Sequence, residues 1–168
     1  MTAKERITKA LLNGQPDRVP VTLGLSEMVP VKYATDDYVD FFWKRRIPLW
    51  RARVETEHDR FGADGFLHIR PGKAPGDPEE ELRNVVETAE SVTFTKTIHT
   101  CEGDLNADFA LSRNAPLSAR SHFVVDLETD ADKVLCLLEH PHEKDLSDMI
   151  AAYQEIGDRA HVGLWLAT

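Results

Sequence analysis

The sequence predicts an α/β fold, the N-terminal portion of a TIM (β/α)8 barrel with an inserted β-hairpin. Three observations carry that prediction. Helical patterns alternate with strand patterns along the chain. The strand candidates 19–25, 64–69 and 160–166 are short, nearly all-apolar runs, as parallel strands covered on both faces require. And 168 residues hold only these three barrel strands, where a full barrel takes about 250 residues.

Taken in order, Thr2 and Glu5 form a capping box, Ile7, Ala10 and Leu11 recur at helical spacing, and Gly14 is placed to end the helix. Pro16-Asp17-Arg18 then hands the chain to strand 19–25, with Pro20 near its start because proline donates nothing to a ladder. Thr35 or Asp36 caps a helix bearing Val39, Phe42 and Trp43, which Pro48 interrupts. A second helix runs from about Leu49 to Phe61, with Gly62 as its stop, and 64–69 follows as a strand. Residues 71–84 are rich in Pro, Gly and acids and read as a loop. Over 91–112, alternating apolar residues on either side of Glu102-Gly103 predict a hairpin. Helices are expected near 130–139 and 143–156, ahead of strand 160–166. No glycine-rich turn follows any strand, which argues against a dinucleotide-binding sheet.

Composition excludes some functions. A net charge of −9, with acids spread along the chain, opposes general nucleic-acid binding, which needs Lys and Arg against phosphates. The cluster Lys44, Arg45, Arg46, Arg51 and Arg53 reads as a solvated helix face. No apolar run reaches the roughly 18–20 residues of a membrane span, and charges occupy the N-terminus where a signal peptide needs an apolar core. Two cysteines are too few for a disulfide framework, so a reducing cytoplasm is expected, with Cys136 a core thiol.

The stretch TAKERITKALLNGQPDRVPV resembles the opening of the uroporphyrinogen decarboxylase superfamily, particularly its cobamide-dependent methyltransferase-like branch. FGAD, TIHTCEGDL and VVDLETDADKVLCLLEHP are similar to further family segments in the same order. The resemblance implies a barrel of which 1–168 is roughly the first half, a single domain. Decarboxylases proper carry a Met-Arg-Gln-Ala-Gly-Arg motif after the first strand and an aspartate beyond the second. Here Leu23-Gly24-Leu25-Ser26-Glu27-Met28 and His68-Ile69-Arg70-Pro71 stand instead, so the methyltransferase branch is favoured. That branch implies methyl transfer to or from a small molecule, a corrinoid (cobamide) carried by a partner protein, and zinc whose ligands lie outside this chain. His99-Thr100-Cys101 with Cys136 matches the His-x-Cys zinc pattern in type but not in position, and His140-Pro141-His142 reads as a helix end; no residue here is assigned to a metal.

Barrel chemistry sits at the carboxyl ends of strands. Position therefore selects Glu27 and His68 as catalytic candidates, with Ser26 and Arg70 binding substrate. Their ordinary alternatives are a solvated carboxylate, a satisfied core histidine and a surface ion pair. His161 falls near the start of its strand, on the stability face, and Asp17-Arg18 reads as a structural ion pair there. The competing functions are uroporphyrinogen decarboxylase, a non-catalytic half-barrel that binds a corrinoid protein or pairs with a complementary chain, and an unrelated α+β domain.

Overall fold

Thr2 starts α1 (Ala3–Leu11) with the reciprocal capping box: its hydroxyl accepts from Glu5 N–H, and the Glu5 carboxylate accepts from Thr2 N–H. The helix ends in a Schellman turn, with Asn13 N–H donating to Ala10 O and Gly14 N–H to Lys9 O. The left-handed position is Asn13 (φ 55°) and not the expected Gly14. The computed structural model describes residues 1–69, 77–138 and 145–164. Residues 139–144 with the His140/His142 pair, the end of the last expected strand at 165–166, and Arg70 lie outside these.

α2 (Met28–Ala34) leads to a π-helical turn at Val39–Lys44. After Pro48, α3 (Leu49–Arg53) runs directly into a π-helical segment, Val54–Arg60. Gly62, at φ 67°, then turns the chain into β1 (Gly65–Ile69). A four-stranded antiparallel meander follows: β2 (Glu80–Glu87), β3 (Ser91–Thr100), β4 (Gly103–Ser112) and β5 (Ala115–Ala119). α4 (Leu127–Leu138), α5 (Ser147–Ile156) and β6 (Ala160–Leu164) complete the order. β6 pairs parallel with β1, from Gly65↔Ala160 to Ile69↔Leu164.

The architecture is thus mixed α and β, with one parallel pair and one antiparallel sheet, and the described residues close no barrel. One face of the parallel pair buries Leu67, Ile69 and Ala160 against Val54, Ala152 and Ile156. A second core joins the meander, through Val92, Phe94 and Leu111, to Val31, Val39 and Phe41. The meander's opposite face carries a polar ladder: Thr95 donates to Asp108, Thr97 to Asn106, and His99 bonds Asp104. The 91–112 pairing is one rung of this larger sheet, since β2 and β5 flank it. Residues 80–84, read as loop, belong to β2; every residue of that edge strand is exposed, so no apolar alternation marks it.

Residues 19–25 form no strand. The Val21 N–H donates to the Asp64 side chain at 3.0 Å, and Val21 O accepts from Asp64 N–H at 2.7 Å. With Val21's donor taken by a carboxylate and none available from Pro20, no backbone ladder propagates. Asp17 and Arg18 do not pair through their side chains either. Arg6 grips Asp17 through Nε (2.6 Å) and Nη2 (2.9 Å), while Arg18 reaches Asp64 at 2.7 Å. Arg6 also bonds Asp64, which is 1% exposed.

The cysteines are not free. Cys101, at the β3–β4 turn, and Cys136, on α4, are joined in a disulfide with Cα atoms 6.1 Å apart. The expected core thiol is therefore a cross-link, and the inference of a reducing compartment from unpaired cysteines falls with it. Among the described residues no helix is long and apolar enough to cross a membrane.

Burial pushes the Asp64 carboxyl up, but the Val21 N–H and the Arg6 and Arg18 guanidiniums outweigh it and hold it below the usual range. Asp64→Ala leaves Arg18 without its carboxylate, Arg6 with Asp17 as its remaining carboxylate, and the Val21 N–H unpaired. We expect destabilisation on the order of 3 kcal/mol, read as a Tm lowered by roughly 6–12 °C. A pH series tests the same electrostatics. Lys133 and the Val125 and Asp126 N–H groups hold Asp130 at about 2, whereas burial, then Lys4, pushes His161 down. All three groups bind protons more readily in the unfolded chain. The His161 contribution is therefore complete above about pH 6.5 and declines first on acidification; those of Asp64 and Asp130 decline only below about pH 4. Urea unfolding from pH 8 to pH 3 is expected to show this two-stage loss, and His161→Asn to remove the first stage.

Candidate functional site

At the carboxyl end of β1 lies a groove of about 890 Å³. Its floor is Leu67 and Ile69, its walls are Leu49 and Trp50 of α3 and Ala151 and Ala152 of α5, and its polar groups are Glu27, Arg51, Arg53, His68, Asp148 and Glu155. Local sequence places these groups. The preceding π-turn ends at Lys44, Arg46 turns the chain at φ 51°, and Pro48, in extended backbone (ψ 126°), launches α3, so Trp50, Arg51 and Arg53 fall within one helical turn beside β1. Strand alternation puts Leu67 and Ile69 into the core and turns His68 the other way, exposed.

Glu27 and His68 line this one groove together. Glu27 is the residue before α2 and its side chain caps no N–H there, so its carboxylate is not committed to the helix. It also borders a second cavity, of about 470 Å³, with Phe42, Trp43 and Phe94. The His68 ring stands edge-on to Phe66, centroids 5.1 Å apart, and lies over β6 at Gly163. A Cβ on that glycine would sit 3.2 Å from His68 Cδ2, so the missing side chain makes room for the imidazole. Phe66 in turn stacks on His161 at 5.4 Å, and His161 Nδ1 bonds Thr8 Oγ1 at 3.2 Å. His161 is thereby tied to α1 at the opposite end of the strand from the groove.

Ser26 does not line the groove. It is exposed, its hydroxyl accepting from Met28 N–H at 3.4 Å. Arg70, the other substrate-binding candidate, lies outside the described residues.

Two arginines assigned by sequence to a solvated face belong to the groove instead. Arg51 makes a two-pronged pair with Glu155, at 2.8 and 2.7 Å, which raises the arginine and lowers the carboxyl. Arg53 forms no ion pair among the described residues, and its Nε is buried without a hydrogen-bond partner. Glu57, one turn on and 3% exposed, is pushed up by burial and only partly restrained by Arg53. The groove therefore carries a guanidinium with one unpartnered N–H, while Arg51 lies over the Trp50 ring at 5.3 Å. The groove's signal in the sequence was Pro48-Leu49-Trp50, a helix restart that places an aromatic beside the basic residues.

Chemically, the arrangement offers a carboxylate and an imidazole for proton transfer, a cation for an anionic group, and apolar walls to exclude water. No trio of His, Cys, Asp or Glu able to hold a metal forms among the described residues. His99 is bonded to Asp104 at 2.7 Å and the two sulfurs to each other, so the His-x-Cys pattern is not assembled as a ligand set. Comparison with protein-family models, curated proteins and solved structures found no match to this chain.

Replacing Arg53 separates its structural cost from its charge. Arg53→Met keeps the apolar stem and removes the orphaned Nε. We expect a gain of about 1 kcal/mol in unfolding free energy, measured by urea titration, together with a weaker response of Trp50 fluorescence to added carboxylates.

Proposed function

We propose that this chain is part of a uroporphyrinogen-decarboxylase-like barrel of the corrinoid-dependent methyl-transfer type, with its small-molecule substrate bound at the carboxyl end of β1. One observation carries the reading: Glu27 and His68, far apart in sequence, line a single groove at the end of a parallel strand, where α/β barrels keep their chemistry. Helices cover one face of the β1–β6 pair, with the groove between α3 and α5 at its carboxyl end, and Phe66 and His161 occupy the other. The capped α1, bonded to the start of β6 through Lys4 N–H and Asp158 O at 3.2 Å, supports the same arrangement.

In this reading the groove binds and orients the small molecule, Leu49 and Trp50 shield it from water, and Glu27 or His68 takes or returns its proton. A corrinoid carried by a partner protein supplies the exchangeable methyl group when docked. Zinc, where used, draws its ligands from outside the described residues. Self-association follows from strands whose outer edges meet no further strand among the described residues.

Visible absorbance of methylcobalamin, followed as its cobalt–carbon bond breaks in the presence of a small thiol and the complete barrel of which this chain is proposed to be part, is the test. Turnover is expected, and Glu27→Gln or His68→Ala is expected to slow it on the order of a hundredfold with Tm unchanged. Absence of turnover together with an unperturbed corrinoid spectrum overturns the proposal.

A further inference from the structure

The cross-link at the β3–β4 turn has features that a buried structural staple lacks. Cys101 is exposed at the tip of the hairpin, while Cys136 on α4 is half-buried. The two sulfurs are therefore unequal: an incoming thiolate meets Cys101 first. Cys136 Sγ also accepts the Cys101 backbone N–H at 2.9 Å. An N–H aimed at a sulfur favours its thiolate, and the sulfur with the more stable thiolate is the better leaving group in exchange. Around the pair stand Lys133 on α4, which bonds Asp130 at 2.8 Å, and Asp132. On the hairpin are Glu102 and the bonded His99–Asp104 pair. Lys133 also reaches the turn itself, its Cε lying 3.8 Å from where a Cβ on Gly103 would be.

Among the described residues, α4 rests on β3 and β4 through half-buried side chains. Its only buried residue is Asp130, whose bonds go to Lys133 and to the N–H groups of Val125 and Asp126, all local to the helix. The disulfide is thus the covalent tie between α4 and the sheet it rests on.

We propose that Cys101–Cys136 is a redox-active disulfide that exchanges with low-molecular-weight thiols, with Cys101 the attacked sulfur and Cys136 the leaving thiolate. A thiolate RS⁻ bonds to Cys101 Sγ as the Cys101–Cys136 bond breaks, and the electron pair leaves on Cys136 Sγ. A second thiolate then attacks the R sulfur of the mixed disulfide, releasing RSSR and the Cys101 thiolate. Two thiols are oxidised, the protein disulfide is reduced by two electrons, and the two thiol protons pass to the cysteines. The proposal is independent of any methyl transfer.

The test uses the whole chain and glutathione. Under native conditions, millimolar reduced glutathione is expected to open the bond, so that iodoacetamide adds two alkyl groups by mass. Acid quenching at short times is expected to find glutathione on Cys101 and the alkyl group on Cys136. In the fully reduced chain, the Cys136 thiol, which accepts the Cys101 N–H in the closed form, is expected to alkylate faster than Cys101. Any of three results overturns the proposal: a bond that resists glutathione until denaturant is added, glutathione appearing on Cys136 in place of Cys101, or thiols that oxidised glutathione leaves unpaired.

Discussion

The buried carboxylate of Asp64 organises the amino-terminal third of the chain. It stands immediately before β1 and collects Arg6 from α1, Arg18 from the connecting turn and the Val21 N–H from the extended segment. A charge that is 1% exposed is tolerable only when its lone pairs are filled and opposite charges stand close. The three donors come from separate stretches of sequence, so satisfying the carboxylate fixes their mutual positions. Arg6 is shared with Asp17, which extends the network to the turn after α1. The start of β1, and hence the groove at its far end, is placed by this network.

Two packing problems meet on that frame. The parallel pair buries one face under α5 and the 54–60 segment and leaves the other to aromatic and imidazole rings. The meander buries its apolar face against the 28–44 helices and carries on the other a ladder of hydroxyls, amides and carboxylates, of which Thr97 is itself buried. Glu27 sits where the two assemblies come together and borders a cavity on each side. A residue in such a place reports on the relative position of both.

Much of this was legible in sequence, and the exceptions have physical reasons. The capping box, the break at Pro48, the 91–112 pairing and the strands at Gly65–Ile69 and Ala160–Leu164 each depend on a local rule, and local rules read well. Residues 19–25 misled because an apolar run says nothing about who takes its N–H groups; the answer lay 43 positions away, at Asp64. β2 was invisible because EELRNVVE, an exposed edge, has no buried side to alternate with. Arg53 looked like part of a solvated face because charge clusters usually are, and only the position of α3 beside β1 turns it inward. Glu27 and His68 were chosen by their place at strand ends; their shared groove is a tertiary fact, as is the union of Cys101 with Cys136.

That union has a topological corollary. The bond spans 35 positions and encloses β4, β5 and the stretch leading into α4 within one covalent ring. In a chain-entropy account, closing such a ring removes freedom from the unfolded chain worth about 4 kcal/mol. A peptide bond cut anywhere inside the ring, in the exposed 113–120 stretch for instance, leaves two polypeptides still tethered. They migrate as one species until a reductant parts them.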